Sequence, residues 1–214
     1  MYWKIQWFEL SNALQRRATM KMLDEQVFDQ LFYEGRTFSH WQDIPVDPDL
    51  IREAIACAGL APTSANTQPA RYVVVSSAEG RARLKPYLAP GNVEKTMTAP
   101  ATVIIGHDLT FYEALPRMFP QVDAKSWFVG NTDLIAETAF RNGCLQGGYF
   151  ILAARAVGLD CGPMSGFDVD GVTREFFAGT EIRANFLCNL GYGDRDTLHP
   201  RNPRFDPDEV TTFV

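Results

Sequence analysis

The segment Thr132 to Val157 constrains this chain more than any other, because it is the longest helical candidate and carries small residues on several faces. Ala136, Ala139, Gly143, Gly147, Gly148, Ala153 and Ala154 leave room for another backbone to approach closely. A helix that is apolar and small on more than one face belongs at the centre of a domain or in an interface between two copies. Gly158 ends it. Whatever else the chain forms must pack around this rod.

The other elements are shorter. Leu23, Val27, Phe28, Leu31 and Phe32 recur at helical spacing, which predicts an amphipathic helix from Lys21 to Tyr33, ended near Gly35. Asp47-Pro48 reads as an N-cap with proline at the first helical position, and Leu50, Ile51, Ala54, Ile55 and Ala58 form the buried face that follows. Arg71 to Ser76, Thr102 to Ile105 and Asn185 to Leu190 read as strands. Ala78 to Leu88 and Asp168 to Phe177 read as helices, the latter capped by Asp168 or Asp170. Helices outweigh strands without regular alternation, so the expected fold is α+β, a mixed central sheet flanked by helices. Residues 20–214 are expected to form one domain, with 1–19 an N-terminal extension or a start-site artefact. Pro200 to Val214, rich in Pro and Arg, reads as an arm.

Bulk composition removes several functional classes. The net charge is −6 and no Lys/Arg block is long enough for a nucleic-acid footprint. No apolar run reaches membrane-spanning length. Cys57, Cys144, Cys161 and Cys188 form no C-x-x-C, so they read as buried thiols of a reducing, cytoplasmic compartment. His40, His107 and His199 are scattered and there is no H-E-x-x-H, so no metal site is expected. The chain has neither a P-loop nor a G-x-G-x-x-G after a strand. Gly162-Pro163-Met164-Ser165-Gly166 lacks the spacing of a hydrolase nucleophile elbow. No side chain can be nominated as an acid, base or nucleophile.

Three polar loops at helix ends remain: Arg36 to His40, Pro62 to Asn66, and Gly162 to Gly166. The second, Pro62-Thr63-Ser64-Ala65-Asn66, offers several fixed hydrogen-bonding groups at one place, either as a helix-terminal turn with an Asx bend or as a ligand loop. The segment 108–131 is irregular and aromatic, a pattern more often functional than ornamental in a connection of this length.

Arg36-Thr37, "PVDPDLIREAIACAGLAPTSANTQPARYVVV", "ARAVGLDCGPMSGFD" and "NFLCNLGYGD…HPRNPR" stand in the order seen in the nitroreductase family of flavin enzymes, which the chain resembles from about Leu23 to its C-terminus. "APTSANTQPAR", "FYEALPRMFP" and "ETAFRNGCLQGGYFILAARAVGLDCGPMSGFD" look closest to its malonic semialdehyde reductase branch, of uracil breakdown. The resemblance implies FMN held at the interface of an intertwined homodimer embraced by C-terminal arms. It also implies hydride delivery from NADH or NADPH, then transfer to a small-molecule acceptor in the same place. Malonic semialdehyde reduced to 3-hydroxypropanoate is the leading acceptor; a nitroaromatic or quinone is the alternative, and a flavin-binding protein without turnover is a third.

The same resemblance assigns residues. Arg36 and Arg201, with Thr37 beside them and Arg204 as a helper, would meet the phosphate, which carries about −1.5 to −2 charges. Where the family usually has a second cation this chain has Ser39, so the grip would either be weaker or shift to His40 or the C-terminal arginines. Pro62, Thr63, Ser64 and Asn66 would contact the flavin ring, Asn66 through an amide that both donates and accepts. Pro163, Met164, Ser165 and Gly166 would bring backbone N–H groups to the ring's reactive nitrogen. Tyr112, Trp127 and Phe128 could cover the acceptor or pack as ordinary core. Arg81, Arg83 and Lys85 could meet a 2′-phosphate or form a solvated face.

Overall fold

The structure, a computed structural model, describes residues 22–214. The proposed extension 1–19 and the predicted helix start at Lys21 lie outside the described residues. The first helix, α1 (Glu25–Phe28), passes into a π-helical turn, Asp29–Tyr33. α2 (Pro48–Ala58) begins as expected, with the Asp47 carboxylate accepting from Asp49 N at 2.9 Å and proline in the first turn. Then come β1 (Ala70–Val75), α3 (Ala78–Leu84), α4 (Pro90–Met97), β2 (Ala101–Asp108) and the short α5 (Leu115–Met118). The long helix α6 (Thr132–Ala156) leads through Gly158 into β3 (Asp160–Met164), followed by α7 (Val169–Phe176), β4 (Ile182–Gly191) and α8 (Pro207–Val210) in the arm.

The four strands run in the order β1-β2-β4-β3. β2 lies at the centre with Val103, Ile104 and Ile105 fully buried. Alternation splits its side chains between two layers. Ala101, Val103 and Ile105 join Ile51, Ala54 and Ala58 of α2 and Phe150, Ala153 and Ala154 of α6. Ile104 joins Leu187 of β4, Leu84 of α3 and Val172 of α7 on the opposite face. The sheet therefore has helices on both sides, and α6 is the rod against one of them.

The small residues of α6 set its distance from the sheet. A Cβ on Gly147 would lie 2.5 Å from the Phe186 ring, and one on Gly143 would lie 2.9 Å from the Cβ of His107. Glycine at both positions lets α6 sit directly on β2 and β4.

Several expectations change. Every strand pair is antiparallel, where a mixed sheet was expected. Parallel pairing is confined to an isolated bridge, Thr37 to Cys161. Asp160–Met164 is a strand and not a loop, because β4 offers it a full ladder of partners despite Gly162 and Pro163. α4 had no counterpart in the sequence reading. Cys161 and Cys188 are buried thiols, but Cys57 and Cys144 are only half-buried. The apolar face predicted over Lys21 to Tyr33 is only partly covered: Leu23, before α1, and Phe32, in the π turn, stay exposed. In the aromatic segment, Phe111 and Phe128 stack edge to face at 4.9 Å in a small core with Leu115, Ala124 and Ala139. Phe128 is therefore packing and not a cover, and Tyr112 packs against the same core, whereas Trp127 is 52% exposed.

Two predictions follow from this packing. Gly147→Ala should destabilise the fold by about 1–3 kcal/mol, because the ring of Phe186 has to move; an unchanged urea midpoint would contradict this. His107 is buried between β2 and α6, its Nδ1 without a partner, and burial, then the charge of Arg183, holds its pKa below the ordinary value. The unfolded chain therefore binds the extra proton first as pH falls through about 6.5. Wild-type stability relative to His107→Gln should be flat above neutrality and decline below it, measured by melting temperature from pH 8 to 5.

Candidate functional site

The π turn Asp29–Tyr33 and Gly35 deliver the chain to the open edge of β3. There Thr37 bridges Cys161, and Phe38 N donates to Cys161 O at 3.0 Å. Phe38 is buried, and a Cβ on Gly162 would lie 2.6 Å from the Phe38 carbonyl oxygen, so glycine allows this segment to lie flat on the strand. Trp41 bridges Gly193 and donates through Nε1 to Lys95 O at 3.0 Å. The chain leaving β4 returns to the same place. Arg201 Nη2 donates to the carbonyls of Tyr33 (2.6 Å) and Gly35 (3.0 Å), and Arg36 Nη2 donates to His199 O.

Between these two segments lies a cleft of about 610 Å³. Arg36, Arg155, Arg201 and Arg204 line it, with His40, His199, Thr37 and Ser39. No carboxylate among the described residues does. The hydrogen bonds of all four guanidiniums go to backbone carbonyls, and none forms an ion pair among the described residues. Four converging cations without a counter-ion, in a chain of net charge −6, make a site for an anion that grips bidentately. Among the described residues no cluster of His, Cys, Asp and Glu could hold a metal ion.

The Pro62–Asn66 loop does not line this cleft. It forms a short 3₁₀ turn, Ser64–Asn66, with Ala65 (φ 47°), Asn66 (φ 53°) and Gln68 (φ 41°) all left-handed. Such residues cost on the order of 1–3 kcal/mol each, and they persist only where the surroundings impose them. Here α6 and α5 impose them. Ser64 N donates to Oδ1 of the buried Asn142 at 2.9 Å, and Asn66 Nδ2 donates to Met118 O at 2.7 Å. Gln68 Nε2 donates to Asn66 Oδ1 at 2.6 Å, and its N–H reaches Thr63 Oγ1 at 3.3 Å. The Asn66 amide is thus engaged at both ends within its own chain, while Pro62 and Ser64 remain exposed.

Pro163 and Met164 end β3, and Ser165 and Gly166 follow. Asn189, fully buried, accepts from Thr102 Oγ1 (2.8 Å) and donates to Lys95 O (3.1 Å) and Thr96 Oγ1 (3.3 Å); Thr96 Oγ1 in turn lies 3.5 Å from Met164 Sδ. Gly166 O accepts from Ala89 N (3.0 Å) and Asn92 Nδ2 (2.7 Å). The turn is therefore fixed through its carbonyl side. The N–H groups of Ser165 and Gly166 have no acceptor among the described residues, so they remain available to a ligand.

The structure thus unites Arg36, Thr37, Arg201 and Arg204 in one cleft, places the Pro163–Gly166 turn at the far end of the strand they border, and sets Pro62–Asn66 elsewhere. Arg155 was missed: a lone arginine in the last turn of an apolar helix reads as a partner of the helix dipole. Arg81 and Arg83 are committed elsewhere, Arg81 to the carbonyls of Ala99 and Pro100 and Arg83 to Glu175.

Comparison with known proteins agrees with this architecture. A Burkholderia lata protein with the provisional name NADH dehydrogenase/NAD(P)H nitroreductase is 59% identical over 191 residues, spanning 89% of this chain and 98% of its own. A Polynucleobacter asymbioticus protein of the same provisional name is 54% identical, spanning 90% and 98%. The structure of an Exiguobacterium sibiricum protein, described as a nitroreductase in complex with FMN, superposes with a TM-score of 0.77 over 92% of this chain and 100% of that one, at 20% identity. Residues 36–192 match the Nitroreductase family, and the chain belongs to that family.

Proposed function

We propose that the chain is an FMN-dependent NAD(P)H oxidoreductase, active as a homodimer. The observation that carries this is the arginine cleft, free of carboxylates, bordering the strand that ends in the Pro163–Gly166 turn. Arg36, Thr37 and Arg201 would hold the FMN phosphate. Ser165 lies four residues along β3 from Cys161, the bridge partner of Thr37, or about 13 Å of extended strand. A long ligand with an anionic end and a flat polar end suits that span. The flavin supplies hydride transfer; the chain supplies position, electrostatics and exclusion of water. The unpartnered N–H groups of Ser165 and Gly166 are placed to stabilise negative charge on a reduced ring.

A second copy supplies what one chain lacks. The Pro62–Asn66 loop is tied to Asn142, whereas Arg155 lines the cleft, and the step of thirteen positions from one to the other is roughly 20 Å of helix. The loop of one chain therefore serves the cleft of its partner. Apolar side chains exposed on α6 (Phe140, Leu145, Tyr149) and in the arm (Phe205, Phe213) support that association.

For the acceptor, the sequence segments quoted above favour malonic semialdehyde. The provisional names of the two relatives favour a nitroarene, and Trp127, exposed at the edge of the aromatic segment, suits a flat acceptor. Rates with one reductant on malonic semialdehyde, a quinone and a nitroarene separate these readings.

The purified protein is expected to be yellow and dimeric, and its flavin should bleach on NADH or NADPH under nitrogen and recover on adding an acceptor. A colourless protein that quenches no FMN fluorescence would refute the cofactor assignment. Arg36→Ala and Ser64→Pro chains should each bind flavin poorly, and mixed dimers of the two should regain part of the binding. Absence of complementation would place both residues in one chain's site or leave Ser64 outside it.

A further inference from the structure

Of the four arginines in the cleft, Arg155 is the least explained by its own chain. Its backbone is pinned, because Gln30 Nε2 donates to the carbonyls of Arg155 (2.6 Å) and Ala156 (3.3 Å). Its side chain is pinned too, because Nη1 donates to Leu31 O at 2.8 Å. The opposite edge, Nε with Nη2, makes no hydrogen bond among the described residues, and Nε is buried without a partner. A buried donor left unpaired costs roughly 1–3 kcal/mol, so a structure that holds one in place has a use for it or an acceptor still to come. A role confined to the helix dipole or to Leu31 needs neither this edge nor its location. Nη2 is not buried and makes no hydrogen bond among the described residues, so it is free to donate to an oxyanion in the cleft. The side chain lines the cleft together with Arg36 and Arg201, with no carboxylate among the described lining residues to balance the three charges.

We propose that Arg155 is a further phosphate-binding residue, donating to the FMN phosphate through Nη2 alongside Arg36 and Arg201. This rests on the FMN reading given above. Thr37 and Ser39 offer hydroxyls but no charge, so Arg155 supplies the cation on the α6 side of the cleft. Gly35 belongs to the same device. A Cβ there would come within 2.9 Å of both Cζ and Nη1 of Arg155, so glycine at 35 is what lets the guanidinium lie against the chain entering the cleft.

The test compares FMN with riboflavin, which has the same ring and no phosphate, by fluorescence quenching on the full-length apoprotein. Arg155→Gln keeps a polar but shorter side chain and removes the charge. It should weaken FMN binding roughly ten- to a hundredfold and leave riboflavin binding within about twofold. It should also make the dependence of FMN affinity on salt shallower. Gly35→Ala displaces the guanidinium without removing it, and should weaken FMN selectively by a smaller factor. Equal loss of both flavins, or no loss of either, in Arg155→Gln of unchanged melting temperature would overturn the assignment. If that variant melts early, Gly35→Ala decides: unchanged FMN affinity there overturns it. Wild-type protein that binds neither flavin would instead defeat the FMN reading itself.

Discussion

The close seat of α6 on the sheet is the contact on which the rest of this molecule depends. Gly143 and Gly147 bring the helix against His107 and Phe186, and Ala154 continues the same face under the core of α2. Once the rod lies there, its polar residues become fixed points. Asn142 and Gln146 are buried, and they hold the backbone of Ser64 and Ala70 respectively. Asn142 thereby imposes the left-handed turn, and Gln146 satisfies the first N–H of β1. The C-terminal turn carries Arg155 to the cleft, and Gly158 reverses the chain into β3. One helix thus sets the positions of a strained loop, a strand and a cation that are far apart in sequence.

β3 plays the complementary part. It is an edge strand, and the segment after α1 covers its open side through the Thr37–Cys161 bridge. Covering the edge removes the hazard of unpaired strand groups and at the same time brings Arg36 to the start of β3. Gly162 is required there because the Phe38 carbonyl occupies the space of a side chain. The phosphate end and the ring end of the proposed cofactor site are therefore two ends of one covered strand. The buried Asn189 network fixes Met164 at the second end. Stability of the sheet edge and geometry of the site rest on the same hydrogen bonds.

Much of this was legible in the sequence where one local rule decides the outcome. Asp47-Pro48 marked a helix start, Asp168 a cap, and the small residues of 132–157 a closely packed rod; each is found within a residue or so of its expected place. β3 was hidden because Gly162 and Pro163 are poor strand formers, and only the ladder with β4 makes them one. α4 was hidden because Pro-Gly-Asn at its start reads as a turn, whereas Trp41 and Asn189 both hydrogen-bond Lys95 O on it. In the site, Arg36 and Arg201 were visible as arginines beside helix ends or in a polar arm. Arg155 was not, because what distinguishes it is an unpaired edge in a cleft, and sequence spacing does not reveal pairing. Asn66 shows the reverse case. Its amide donates to Met118 O and accepts from Gln68 within its own chain, and these bonds hold the shape of the loop.

The exposed faces complete the argument for a shared site. A helix that ends against water carries charge on its outer side, but α6 presents Phe140, Leu145 and Tyr149 there, each between 42% and 54% exposed. The arm carries Phe213, 91% exposed, beyond a helix whose capping box at Asp206 and Glu209 gives it local order without any burial. Local order without a core is what an embracing arm requires: the segment is shaped before it docks, so less conformational entropy is lost on docking. The proposed second copy would cover these apolar groups and deliver its own Ser64 loop to the arginine-lined cleft. Among the described residues the cations of the cleft lack a counter-ion and apolar side chains of α6 and the arm stay exposed, the two deficits that the proposed anion and second copy would fill.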